Sequence, residues 1–139
     1  MTSVYRAPMR SRRDDLDPWL AVERALRLGL CGFGSVDVPQ RRIERFAAAA
    51  DGSFVWTRDE DGLYLLGCLT GPYFYDADGV DVDLVHVRPC RWTQGFDESR
   101  CPAAVVATFA RGGRNFQQIH DARVGEESAR LWSASRVRG

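Results

Sequence analysis

Two β-rich runs, Ser53 to Arg58 and Leu63 to Leu69, are separated by the pair Asp61-Gly62. Glycine after aspartate accepts the positive-φ geometry of a tight reversal, so the two runs predict an antiparallel hairpin. The chain then breaks at Thr70-Gly71-Pro72 and resumes with the aromatic Tyr73-Phe74-Tyr75. An acidic loop (Asp76, Asp78, Asp81, Asp83) follows, and then another strand over Leu84 to Trp92. Any fold available to this chain must be built around that meander.

Helical punctuation surrounds it. Asp17 suits an N-cap, Pro18 a first helical position and Gly29 a C-terminal stop, and between them Trp19, Val22 and Leu26 share one face. Leu30 to Gly34 reads as a short strand entering a bend. Pro39 opens a second helix with the stripe Ile43, Phe46, Ala47, Ala50 and with Arg41, Arg42 and Arg45 opposite; Gly52 ends it. Pro102 begins a short helix whose Val105, Val106 and Phe109 turn inward, Arg111 to Arg114 is a turn, Asn115 to Ile119 a closing strand, and Val124 to Trp132 a terminal helix. Residues 1–14, with Arg6, Arg10, Arg12 and Arg13 and no apolar period, read as a basic flexible arm before a single domain over 15–139. Helix, strand, helix, meander and late helix make this a small α+β barrel.

Charge and composition narrow the chemistry. The 19 basic residues balance 19 acidic ones, and every basic residue is arginine. A chain without lysine cannot form a Schiff base, a P-loop or the lysine-containing metal site of common nucleases. Arginine instead suits bidentate contacts to phosphate or guanine, and stacking. Cys31, Cys68, Cys90 and Cys101 form no CxxC pair, and His86 and His120 lack zinc-knuckle spacing, so the cysteines read as reduced, small apolar residues and no metal or cofactor is expected. No apolar run is long enough to span a membrane and no signal peptide is visible, which predicts a soluble, cytoplasmic protein. Motifs of hydrolases, zincins, P-loop enzymes and dinucleotide-binding folds are missing, so no catalytic residue is assigned.

The binding candidates are aromatic and polar residues beside glycine breaks. Trp56, Tyr73, Tyr75 and Trp92 offer rings on which an unpaired base could stack, Thr57, His86 and Gln118 could read its edge, and Phe33 and Arg88 are further ligand-contact candidates. Arg41, Arg42, Arg45, Arg111 and Arg114 could contact phosphate. Each aromatic reads equally as core, and each arginine as part of a solvated face.

The segments Phe54-Val55-Trp56-Thr57-Arg58, Tyr64 to Gly67, Thr70 to Tyr75, His86-Val87-Arg88-Pro89-Cys90-Arg91-Trp92 and Gly113 to Ile119 occur in that order. Together they resemble the EVE-like domain of the PUA superfamily, found at the N-terminus of Mrr-type restriction endonucleases and in related prokaryotic defence proteins. The resemblance spans about residues 30–120. It implies a PUA/EVE-like β-pseudobarrel with peripheral helices and a concave pocket that reads a modified base in DNA or RNA, with Trp56 and Thr57 at its edge. Gly71-Pro72-Tyr73 would shape its wall. No nuclease segment follows the barrel, so any cutting would fall to a separate effector protein. A different class, a protein-interaction module or a sensor of a small nucleotide-like ligand, fits the zero net charge. A small nucleotide-directed enzyme would need an acid/base pair such as His86 with an aspartate.

Overall fold

The computed structural model describes residues 2–138. Seven strands form one mixed sheet that curls into a half-barrel, with helices on both of its faces, an α+β architecture. The strands are β1 (Val4–Arg6), β2 (Leu30–Phe33), β3 (Phe54–Arg58), β4 (Tyr64–Leu69), β5 (Phe74–Tyr75), β6 (His86–Trp92) and β7 (Gln117–Gln118). The helices are α1 (Trp19–Leu28), α2 (Gln40–Ala48), α3 (Ala103–Arg111) and α4 (Val124–Ala134). Across the sheet the order is β2, β6, β4, β3, β1, β7, and β5 adds to β6.

The expected hairpin forms β3 and β4, paired antiparallel from Phe54 with Cys68 to Arg58 with Tyr64. Successive side chains on a strand point to opposite faces, and the two halves of the core follow from that alternation. Phe54, Trp56, Tyr64 and Leu66 join Val105 of α3 and Val124 of α4 on one face. Val55, Leu65 and Leu69 join Ala21, Val22 and Ala25 of α1 and Phe46 of α2 on the other.

Strand β6 ties the sheet together. Its first half pairs with β2, His86 opposite Phe33, and its second half with β4, Trp92 opposite Gly67. The indole of Trp92 crosses Gly67 so closely that a Cβ there would lie 2.7 Å from the ring, which makes glycine obligatory. That indole donates to the Leu30 carbonyl at 2.9 Å, so both its apolar body and its N–H are satisfied inside.

Helix α1 ends where its punctuation predicts and begins one residue later, at Trp19 with Pro18 in the N-cap position. The Asp17 carboxylate accepts from the Trp19 N–H at 3.0 Å, and Gly29 adopts φ 71°, its N–H bonded to the Ala25 carbonyl. Helix α2 departs from its expected stripe: Phe46 is buried, but Ala47 and Ala50 are exposed and the helix stops at Ala48. The reason lies beneath it. Arg88 donates to the carbonyls of Phe46 at 3.0 Å and Ala49 at 2.5 Å, capping the helix end from the sheet.

The basic arm expected over residues 1–14, of which residue 1 lies outside the described residues, instead contributes a strand to the sheet at Val4–Arg6. β1 pairs in parallel with β3, Val4 opposite Phe54, and antiparallel with β7. Val4, Ala7 and Met9 are buried, and Arg6 itself is only 5% exposed, donating to the Arg114 carbonyl at 2.6 Å. Arginine at an inward position conceals the alternation that would otherwise mark a strand. The acidic loop is a 3-10 turn over Ala77–Val82, held to the rest of the chain by the Arg24–Asp76 ion pair and by Ser11, whose hydroxyl donates to Asp83 at 2.7 Å.

All four cysteines are free; Cys31 and Cys90 are buried and Cys68 and Cys101 half-buried. Burial pushes the Cys31 thiol up to about 12, which leaves it protonated and unreactive at neutral pH. No helix among the described residues is long and apolar enough to cross a membrane.

Candidate functional site

Arg42 and Arg45 lie three residues apart on α2, so they project from neighbouring positions on its surface. Between the Arg45 side of the helix and the segment from Gly113 to Gln118 runs an open cleft of about 760 Å³, lined by Tyr5, Arg45, Arg114, Phe116, Gln118 and His120 among others. A smaller hollow lined by Phe33, Arg42, Arg45, Arg114 and Phe116 extends it. A third, of about 300 Å³, shares Phe33 and Arg42 and reaches Arg12 and Ser35.

The floor is aromatic. Tyr5 of β1 stacks on Phe116 with ring centroids 4.4 Å apart and planes 16° from parallel, and Phe116 meets Phe46 edge-on at 4.8 Å. The rim is largely cationic, with Asp37 and Asp83 beside the arginines of the third hollow. Among the described residues the ion pairs are Arg13–Asp15, Arg24–Asp76, Arg88–Asp51 and Arg130–Glu126, so none of Arg12, Arg42, Arg45 or Arg114 has a carboxylate partner. Arg12 donates to the Gly113 carbonyl at 2.6 Å, which fastens the N-terminal segment to the cleft wall. The Arg42 guanidinium lies over the Phe33 ring, 5.5 Å from its centroid. Burial lowers the Arg42 pKa, and the like charges of Arg114 and Arg12 lower it further. Such a group of unpaired guanidinium forks offers bidentate donors to oxyanions, and each anion received would relieve repulsion already present. The stacked pair beneath offers an apolar face to a planar group.

The residues expected to bind a ligand divide into two sets. Arg42, Arg45, Arg114 and Gln118 line this continuous cleft, whereas Phe33 underlies it as core, 2% exposed with Arg42 over its ring, and offers no face for stacking. Trp56 does not: it is 0% exposed, its indole N–H donates to the Ser128 hydroxyl at 3.0 Å, and Phe96 packs on its ring. No slot exists beside it, so the expected stacking position at the hairpin is filled core. Thr57 is equally buried, its hydroxyl donating to the Pro8 carbonyl at 3.4 Å. Trp92 is internal, as described above.

Arg88 and His86 are also internal. Arg88 donates to three backbone carbonyls, those of Gly71, Phe46 and Ala49, and to the Asp51 carboxylate, so four of its five N–H donors are already engaged within the fold. The Ser35 carbonyl lies 2.7 Å from His86 Nε2 and can only accept, so that nitrogen carries the proton; Nδ1 then accepts from the Tyr73 hydroxyl at 2.8 Å. Tyr73, half-buried, stacks on His86 as well and serves as a brace. Arg41 and Arg111 are exposed, and neither lines the cleft.

Sequence reasoning assigned no role to Tyr5, Arg12, Phe116 or His120. Arg12 was legible only as arm charge, and Tyr5 and Phe116 meet only after β1 enters the sheet. Compared with protein-family models, curated proteins and solved structures, the chain has no match.

Proposed function

We propose that this chain is a non-catalytic nucleic-acid-binding domain of the PUA/EVE-like kind, which receives a strand of DNA or RNA in the arginine cleft. The carrying observation is the convergence of Arg42, Arg45 and Arg114, without carboxylate partners, above the Tyr5–Phe116 stack. Guanidinium groups suit the phosphate backbone, and the aromatic floor suits one unpaired or modified base, with Gln118 at hand to meet its edge. The curled half-barrel and the ordered segments from Phe54 to Ile119 are compatible with the family reading. Within that reading the base lies against Phe116, and the Trp56 hairpin position serves as scaffold.

The test is fluorescence anisotropy of short single-stranded oligonucleotides, with and without a modified base, across a salt series. Three phosphate contacts give an expected slope of about −2 in log affinity against log salt, and each arginine-to-alanine change in the cleft removes about 0.7 of it. Phe116→Ala is expected to weaken binding by roughly 1–3 kcal/mol. Affinity indifferent to salt would overturn the reading in favour of a small nucleotide-like ligand or a protein partner.

A further inference from the structure

A further hollow of about 90 Å³, separate from the cleft, is lined by Arg6, Pro8, Arg10, Trp19, Arg58 and Phe109; Arg6 is buried, Arg58 half-buried and Arg10 exposed. Three guanidinium groups therefore border a space with room for only a few water molecules. Aromatic faces support each of them: Arg6 lies over Phe109 at 5.0 Å, Arg10 over Trp19 at 5.3 Å and Arg58 over Tyr64 at 4.9 Å. None of the three has a carboxylate partner among the described residues. The Nε atoms of Arg6 and Arg58 are moreover buried and bonded to nothing. A buried donor without an acceptor is costly, and two of them belong to side chains that line one small cavity. Water could accept both bonds, but it would leave three like charges facing one another. Burial lowers the Arg6 pKa, as do the charges of Arg10, Arg12 and Arg111.

We propose that Arg6, Arg10 and Arg58 form a binding site for a single oxyanion group, phosphoryl or carboxyl, held separately from anything in the cleft. An oxyanion accepts from both orphaned Nε–H groups and offsets the charge in one step, whereas a nucleobase is too large for the space. The occupant is thus a small anion or the anionic end of a small molecule.

The experiment follows the arginine Nε–H signals in ¹H–¹⁵N correlation spectra while inorganic phosphate, or in a second arm acetate, replaces chloride at constant ionic strength. Saturable shifts of the Arg6 and Arg58 signals are expected. Saturation by phosphate alone identifies a phosphoryl ligand and by acetate alone a carboxyl ligand. Arg58→Met and Arg10→Gln, each checked for a cooperative melt, should weaken binding roughly tenfold or more, because each removes a charge-assisted hydrogen bond. Arg45→Met, on the cleft, should leave it unchanged. Shifts that never saturate would overturn the proposal and leave water in the cavity. So would binding that survives both Arg58→Met and Arg10→Gln, or that disappears in Arg45→Met. The oligonucleotide assay reads the cleft independently, so failure at one site is distinguishable from failure at the other.

Discussion

Arg88 and Arg42 carry the same side chain into opposite circumstances. Arg88, 1% exposed, spends its donors on three carbonyls and the Asp51 carboxylate, and in doing so holds the end of α2 against the sheet. Arg42 lies on that same helix with an aromatic ring beneath it, two like charges near it and no carboxylate partner among the described residues. One arginine has four of its five donors taken up by the fold; under the proposed function the other is a donor to phosphate. The contrast teaches that the degree to which a guanidinium is already satisfied separates a structural pin from a binding group, where residue type and motif membership do not. It also links the two, because Arg88 positions the helix that presents Arg42.

The sharpest way to break this comparison is Arg88→Ala. It orphans the Gly71 and Ala49 carbonyls, leaves the Phe46 carbonyl only the long bond from the Ala49 N–H, and frees the end of α2, so a loss of about 3–5 kcal/mol is expected in urea unfolding. A loss below about 1 kcal/mol would mean that Arg88 is not the pin described. Trp56→Phe comes next. Losing the indole N–H bond to Ser128 and part of the ring volume should cost about 1–2 kcal/mol in the same measurement. Oligonucleotide affinity should be untouched; a fall in affinity would return Trp56 to the binding surface. The smallest expected change is in stability on Arg42→Gln, which removes a cation opposed by Arg114 and Arg12. Its unfolding free energy should stay within about 0.5 kcal/mol of the parent's, on the more stable side. Added salt should therefore stabilise the parent more than this variant, because screening relieves the repulsion only where it exists.

Much of the fold was legible in the sequence. The Asp61-Gly62 turn marked the hairpin, and Asp17, Gly29 and Pro102 marked helix ends, because those signals act through neighbouring backbone. The place of Val4–Arg6 was not legible, since its parallel pairing with Phe54–Trp56 depends on contacts far along the chain. The site was half visible. Arg42, Arg45 and Arg114 stood out as charges, but only the tertiary fold brings α2 opposite the segment that carries Arg114 and Phe116. Trp56 misled for a related reason. An aromatic in mid-strand looks the same whether its face opens on solvent or, as here, lies under Ser128 and Phe96.

The insertion of β1 between β3 and β7 has a consequence for how the chain assembles. During synthesis Val4 emerges long before Phe54, its partner, and β7 has only β1 to pair with. The first strand must therefore wait while the hairpin forms, and it closes the sheet as a late, non-local event. Until it does, β3 is an unprotected edge carrying Phe54, Val55 and Trp56, able to recruit a strand from another molecule. Conditions that delay that closure favour aggregation over folding, and the cleft, whose floor includes Tyr5, is complete only once it has happened.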